Sequence, residues 1–247
     1  MKQMPPPASP DWAYFLDVDG TLLEIAATPD GVHVPPELTA MLGLARSRCG
    51  GALAIVSGRA IGELDQLLEL PQLPAAGQHG LEIRDAHGNV RRHIPSPEPL
   101  QEALGRLEPL RRKHQGLLLE DKGATLAVHY RQAPTLGSYL RRLLGQLTMA
   151  HPGLHLQPGK YVYELKPTGF DKGTAIAELM STPPFAGRWP VFIGDDLTDE
   201  HGFAEINRMG GLSIKVGRGR THAQYRLSGV DAVRGWLGDM TAQEEQD

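Results

Sequence analysis

The stretch FLDVDGTLLEI, residues 15–25, joins an apolar run to two acids that flank Val18, and then turns at Gly20 and Thr21. A strand ending near Asp17 brings both carboxylates to its tip, because residues two apart on a strand share a face. Gly20 lets the backbone come close at that point. One carboxylate can then attack phosphorus while the other protonates the leaving oxygen and later activates water. An acidic turn in which an aspartate caps the next element is the alternative. A calcium-binding EF-hand loop is excluded, since Leu22 and Thr28 occupy the sixth and twelfth positions, where that loop needs glycine and an acid.

Two more apolar runs stop as abruptly, so that YFLDVDG (14–20), ALAIVSGR (52–59) and PVFIGDD (190–196) share one form. Each is too short for a helix and apolar on both faces, which predicts buried parallel strands. Helical spacing falls between them. In PPELTAMLGLARSR (35–48) prolines suit the first turn, and Leu38, Met41, Leu42 and Ala45 form a stripe; Ile61, Leu64, Leu67 and Leu68 form another in residues 60–70. Alternation of this kind implies right-handed crossovers and a Rossmann-like open parallel sheet, with ligands bound beyond the carboxyl ends of its strands.

The middle of the chain has a different rhythm. A helix over residues 96–114 precedes a strand pair turning near Lys122 and Gly123; a second helix over 133–150 precedes another pair, GLHLQPGK and YVYELKP, with its turn expected at Pro158 and Gly159. This αββαββ order lacks crossovers between adjacent strands, so it predicts an inserted α+β domain over residues 95–166, with the α/β core built from 1–94 and 167–247.

With 247 residues, about 40% of them hydrophobic, the chain can bury one large core or two smaller ones. Its net charge of -4, without a long single-sign run, argues against nucleic acid and a polybasic membrane patch. A single cysteine, Cys49, excludes an intrachain disulfide and a multi-cysteine metal site. No apolar stretch approaches the roughly 20 residues that cross a bilayer, and the N-terminus lacks a signal-peptide core. The expectation is a soluble, cytoplasmic monomer, without room for a second fused enzyme.

Asp195, Asp196, Asp199 and Glu200 crowd GDDLTDE (194–200), more negative charge than one sheet edge holds comfortably without a cation. Magnesium, which takes oxygen ligands and commonly shares them with a phosphate, suits Asp17, the backbone carbonyl of Asp19, and Asp195. The same acids also suit a helix N-terminus, and both readings can hold together. Ser57, in SGR, offers a hydroxyl and backbone N–H groups to an anion, or simply makes a turn. Lys172, in FDKGTAI, opposes the helix dipole from the first turn, which suits a phosphate neighbour or a solvated surface. Glu120 and Lys122 share a strand face. His79 lies at a sheet edge near the expected cleft and is a better site candidate than His129. Lys215, Arg218, Arg220 and Arg226 read as a basic surface loop.

Taken in order, Asp-x-Asp-Gly-Thr, Ser, Lys and Gly-Asp-Asp-x-x-Asp resemble the haloacid dehalogenase-like superfamily of phosphatases, and the insertion resembles the larger cap found on its sugar phosphatases. The segments VSGR, AAGQHGLE, EDKGATLAVHYRQAP, YELKPTGFDKGTAI and VFIGDDLTDEHGFAEIN are similar to the trehalose-6-phosphate phosphatase family. This resemblance implies magnesium-dependent hydrolysis of a small phosphosugar, trehalose 6-phosphate, through an aspartyl-phosphate. It implies Asp17 as nucleophile, Asp19 as acid/base, Ser57 and Lys172 as phosphate holders, and Asp195 as a metal ligand supported by Asp196 and Asp199. For the substrate it implies Gly58, Arg59, His79, Glu120, Lys122, Arg131 and Glu164. Lys166 stands where many relatives have arginine, replacing a planar fork with a point charge. Another sugar-phosphate phosphatase or phosphomutase, or an inactive regulatory domain, are the alternatives; the last fits poorly with every acid being present.

Overall fold

The computed structural model describes residues 3–25, 33–93 and 96–242. The chain divides into two compact units, Met1–Arg92 with Phe170–Asp247, and His93–Gly169.

In chain order the first unit begins with β1 (Trp12–Leu16), α1 (Pro36–Arg48), β2 (Leu53–Val56), α2 (Ile61–Leu68), β3 (Ala75–Gly77), β4 (Glu82–Arg84) and β5 (Val90–Arg92). The second unit is α3 (Glu98–Lys113), β6 (Leu118–Asp121), β7 (Leu126–His129), α4 (Gly137–Ala150), β8 (Leu154–Gly159) and β9 (Val162–Pro167). The first unit resumes with α5 (Lys172–Met180), β10 (Trp189–Gly194), α6 (Asp199–Arg208), β11 (Leu212–Val216), β12 (Tyr225–Leu227) and α7 (Val230–Ala242).

The eight-stranded sheet of the first unit runs β12-β11-β10-β1-β2-β3-β4-β5. It is parallel from β12 to β3, and β4 and β5 close its far edge antiparallel. That edge is outside the expected all-parallel pattern, because the short GQHG turn after β3 leaves no room for a crossover helix. Tyr14, Phe15 and Leu16 of the central β1 are fully buried, as are their neighbours Phe192 and Ile193 in β10. Each such side chain contributes about 1.5–3 kcal/mol by leaving water. Right-handed crossovers carry β1-α1-β2 one way along the sheet and β10-α6-β11 the other, so α1 and α6 cover opposite faces. α1 packs with α7, and α5 with α6.

The second unit has a four-stranded antiparallel sheet, β6-β7-β9-β8. Leu126, Val128, Tyr163, Leu165 and Leu154 form one of its faces and pack on Leu107 of α3 and Leu140, Leu144 and Leu147 of α4. Gly159 pairs with Val162, so the β8–β9 turn is Lys160 and Tyr161, two residues beyond the expected Pro158 and Gly159. Pro158 is tolerated inside β8 because β8 is an edge strand, where the missing N–H removes no ladder bond needed by a neighbour. Among the described residues no helix is long and apolar enough to cross a membrane.

Candidate active site

β1 and β10 are adjacent, and chain order reverses between them: β2 and β3 follow β1 to one side, β11 and β12 follow β10 to the other. A crevice opens beyond the carboxyl ends of strands at such a point. Asp17 directly follows β1 and Asp195 directly follows β10. The Asp17 N–H donates to the Ile193 carbonyl at 3.0 Å, which ties the two strand ends together.

Lys172 is the second half of this arrangement. Asp171 caps α5, its carboxylate accepting from the Thr174 N–H at 2.8 Å, which sets Lys172 as the first helical residue. Its side chain is buried, with Nζ 2.7 Å from Asp17 Oδ1 and 2.6 Å from Asp199 Oδ1. A solvated surface lysine is therefore excluded. Burial alone lowers an ammonium pKa, but the carboxylates of Asp17 and Asp199 outweigh it and hold Lys172 above its ordinary value. Burial raises Asp17 well above the usual carboxylate range; Lys172 opposes that shift and Asp199 adds to it. Asp195 is pushed up to about 7 by burial, with Asp199 and Asp196 adding to the effect.

Asp199 has both oxygens engaged. While Oδ1 meets Lys172, Oδ2 accepts the backbone N–H groups of Asp195 and Asp196, each at 2.8 Å. An acid in the first turn of α6 thus shapes the loop that carries Asp195. Asp196 points its own carboxylate outward and accepts the Leu197 N–H at 2.6 Å. Glu200 takes the N–H and Nδ1 of His222, at 2.8 and 3.0 Å.

The Asp19 carboxylate is paired with Arg59. Arg59 grips both of its oxygens, Nε at 2.7 Å and Nη2 at 2.6 Å, a bidentate geometry that captures a carboxylate strongly. Ser57 is buried at the end of β2, where its Oγ accepts the Arg59 N–H at 3.2 Å. The His79 ring lies over Gly58, since a Cβ there would come 2.8 Å from Cε1 and Nε2.

Oxygen ligand atoms of Asp17, Asp195 and Asp199 all lie within 4.8 Å of one another. Three carboxylates beside the buried ammonium groups of Lys172 and Lys215 still leave an excess of negative charge, and an all-oxygen donor set fits magnesium. Gly20, at φ +81°, is pressed against the Asp195 carboxylate, which a Cβ at that position would overlap. That carboxylate therefore lies against the backbone following Asp19. Asp199 already accepts three hydrogen bonds, from Lys172 and from the Asp195 and Asp196 N–H groups, against two at Asp17, from Lys172 and Thr21.

In the second unit, Glu120, Ala127, Glu164 and Gln157 stand opposite one another across the four strands, on the face away from the helices. Glu120 accepts from His129 Nε2 at 2.9 Å and lies 3.6 Å from Lys122 Nζ. The His129 hydrogen bond holds the Glu120 carboxyl below its ordinary value, against partial burial. Glu164 accepts from Thr125 Oγ1 at 3.0 Å, and Arg131 is exposed beyond the end of β7.

A family model described as trehalose-phosphatase matches residues 15–231. The chain is 45% identical to trehalose-6-phosphate phosphatase of Escherichia coli K12 over 246 residues, covering 98% of this chain and 91% of that one. The chain belongs to the trehalose-phosphatase family. As a member, it is a phosphomonoester hydrolase. A crystal structure of a trehalose-6-phosphate phosphatase related protein, 26% identical, superposes with a TM-score of 0.76 over 93% of this chain and 96% of the other. The haloalkanoate-superfamily phosphatase BT1666 of Bacteroides thetaiotaomicron, at 15% identity, shares the fold with a TM-score of 0.63 over 96% and 98% of the two chains.

Three residues around Asp17 and Asp195 lie outside the expected site. Lys215 is no surface residue: it is 5% exposed on β11, and its Nζ donates to the carbonyls of Asp195 and Val216. The signal was its place inside the apolar run LSIKV. Thr21 donates to Asp17 Oδ2 at 3.1 Å, and Arg234 of α7 donates to the Leu22 carbonyl at 2.8 Å, so the Asp17 loop is braced from two sides. Nothing local in the sequence marks Arg234 for that contact.

Proposed function

We propose that the chain hydrolyses trehalose 6-phosphate to trehalose and phosphate in two steps at Asp17. Asp17 attacks phosphorus, the bond from phosphorus to the sugar oxygen breaks, and Asp19 gives that oxygen a proton. Water then attacks the aspartyl-phosphate, Asp19 takes its proton, and Asp17 is regenerated. For this work Asp19 leaves Arg59. Ser57 and Lys172 hold the phosphoryl oxygens, Asp199 orients Lys172 and the Asp195 loop, and Asp196 supports that loop through its backbone N–H. Magnesium, held by Asp17, the Asp19 carbonyl and Asp195, would supply charge neutralisation at the phosphoryl group.

The observation that carries this reading is the meeting of Asp17, Asp195 and Asp199 within 4.8 Å at the sheet's reversal point. The 45% identity to the Escherichia coli enzyme supports the substrate. Glu120, Lys122, Arg131 and Glu164 of the inserted unit are proposed to bind the disaccharide hydroxyls; Gly58, Arg59 and His79 of the first unit are proposed as substrate contacts in their own right. Phosphate release across a panel of phosphosugars, with and without magnesium, tests the proposal. Trehalose 6-phosphate should show the highest kcat/KM and need the metal; equal turnover of simple hexose phosphates would overturn the substrate.

A further inference from the structure

Gln78 and His79 are two successive residues with side chains in the left-handed region, at φ +47° and +55°. A single such residue is uncommon, and a pair persists only where its surroundings over-determine it. The pair forms the centre of the Gly77–Gly80 turn between β3 and β4. On one side the Gln78 N–H donates to the Arg59 carbonyl at 2.9 Å and the His79 N–H to the Ser57 carbonyl at 3.0 Å. Extended backbone sends successive N–H groups to opposite sides; the left-handed pair turns both onto one loop. Gly77 and Gly58 permit the approach, as a Cβ on Gly77 would come 2.9 Å from the Arg59 carbonyl oxygen.

The other side of the turn meets α5. At Gly80, φ +100°, a Cβ would lie 2.9 Å from the carbonyl oxygen of Asp171, the cap residue immediately before Lys172. One strained turn therefore abuts both the Ser57–Arg59 loop and the start of the helix that carries Lys172.

We infer that the Gly77–Gly80 turn is a positioning element that sets Ser57 and Lys172 at a fixed separation for one phosphoryl group, with Gln78 the residue whose backbone conformation does so. This rests on the proposed phosphatase reading of the two residues. It acts through backbone shape, so a side chain compatible with the left-handed region should restore what a β-branched one removes.

The test compares Gln78→Val with Gln78→Asn, reading inorganic phosphate binding by calorimetry and kcat/KM on the phosphosugar, at a temperature where each variant is fully folded. Gln78→Val should weaken phosphate binding and kcat/KM by about tenfold each, since displacements near 1 Å carry penalties of that order or more. Gln78→Asn should regain most of both. A folded Gln78→Val with wild-type phosphate affinity, or a Gln78→Asn as impaired as the valine variant, overturns the inference. Should Gln78→Val not fold, Gly80→Ala presses on Lys172 from the other side, and unchanged phosphate affinity there overturns it equally. If the wild type binds phosphate but does not turn over trehalose 6-phosphate, the substrate reading fails while the phosphate comparison still decides the role of the turn.

Discussion

Lys172 Nζ lies 2.7 Å from Asp17 Oδ1 across 155 positions of sequence, with both side chains buried. The two charges compensate each other unequally, because Lys172 also serves Asp199. Lys172→Met leaves two buried carboxylates without a cation and should destabilise by about 3–5 kcal/mol. Asp17→Asn keeps the Lys172–Asp199 pair and should cost much less stability, yet lower phosphate release by about a thousandfold or more. Urea unfolding beside a phosphate-release assay reads both; equal stability losses would refute the asymmetry.

Asp17, Asp195 and Asp199 bring carboxylate oxygens within 4.8 Å of one another, so a divalent cation should stabilise the fold. Saturating magnesium at about 100 times its Kd should stabilise by about 2.7 kcal/mol, and EDTA should reverse this. Asp195→Asn should remove the magnesium-dependent rise in Tm while raising the metal-free Tm through relief of charge repulsion. A wild-type Tm indifferent to magnesium and EDTA would count against a cation at these acids.

Gly20→Ala tests the close approach between the Asp17 loop and Asp195. Left-handed backbone at this position costs a side chain about 1 kcal/mol, and the added Cβ also displaces the Asp195 carboxylate. Thermal shifts against magnesium concentration should move to weaker apparent affinity, beyond what the lost stability explains. An unchanged magnesium midpoint would contradict the geometry.

Glu120→Ala and Glu164→Ala should lower kcat/KM for trehalose 6-phosphate by about tenfold or more, since a hydroxyl that loses its buried partner is poorly tolerated. Turnover of a small aryl phosphate, which has no sugar to hold, should stay near wild type. Parallel losses on both substrates would remove the inserted unit from sugar recognition.

Cys49 is buried, and burial pushes its thiol up to about 11, against the opposing pull of Arg188. Its folded pKa exceeds the ordinary thiol value, so its contribution to stability is complete below about pH 8.5 and is lost as pH rises through 11. The native protein at pH 8 should resist a disulfide reagent that labels one thiol in denaturant. Rapid labelling of the folded chain would show the site to be open.

Much of the core was legible in the sequence. Runs such as ALAIVSGR announce buried parallel strands because they are apolar on both faces and end at turn formers, a local property. The helical stripes of α1 and α2 were legible for the same reason, with Leu38, Leu42, Ile61 and Leu64 buried as their spacing implies. The hairpin turn at Lys160 and Tyr161 was misplaced by two residues because Pro158 is a turn former in local terms, and only the edge position of β8 admits it to a strand.

By itself, the sequence determined the alternation of strands and helices, the acids and the hydroxyl at the strand ends, and membership of the family, since each is written in short patterns of residue type. Tertiary structure decided which of those groups meet. Setting β10 beside β1 joins Asp195 to Asp17, buries Lys172 between two acids and draws Lys215 inward, while Arg59 pairs with the Asp19 carboxylate across 40 positions of sequence. Burial and ion pairing depend on which distant segments become neighbours, and no local pattern encodes that distance.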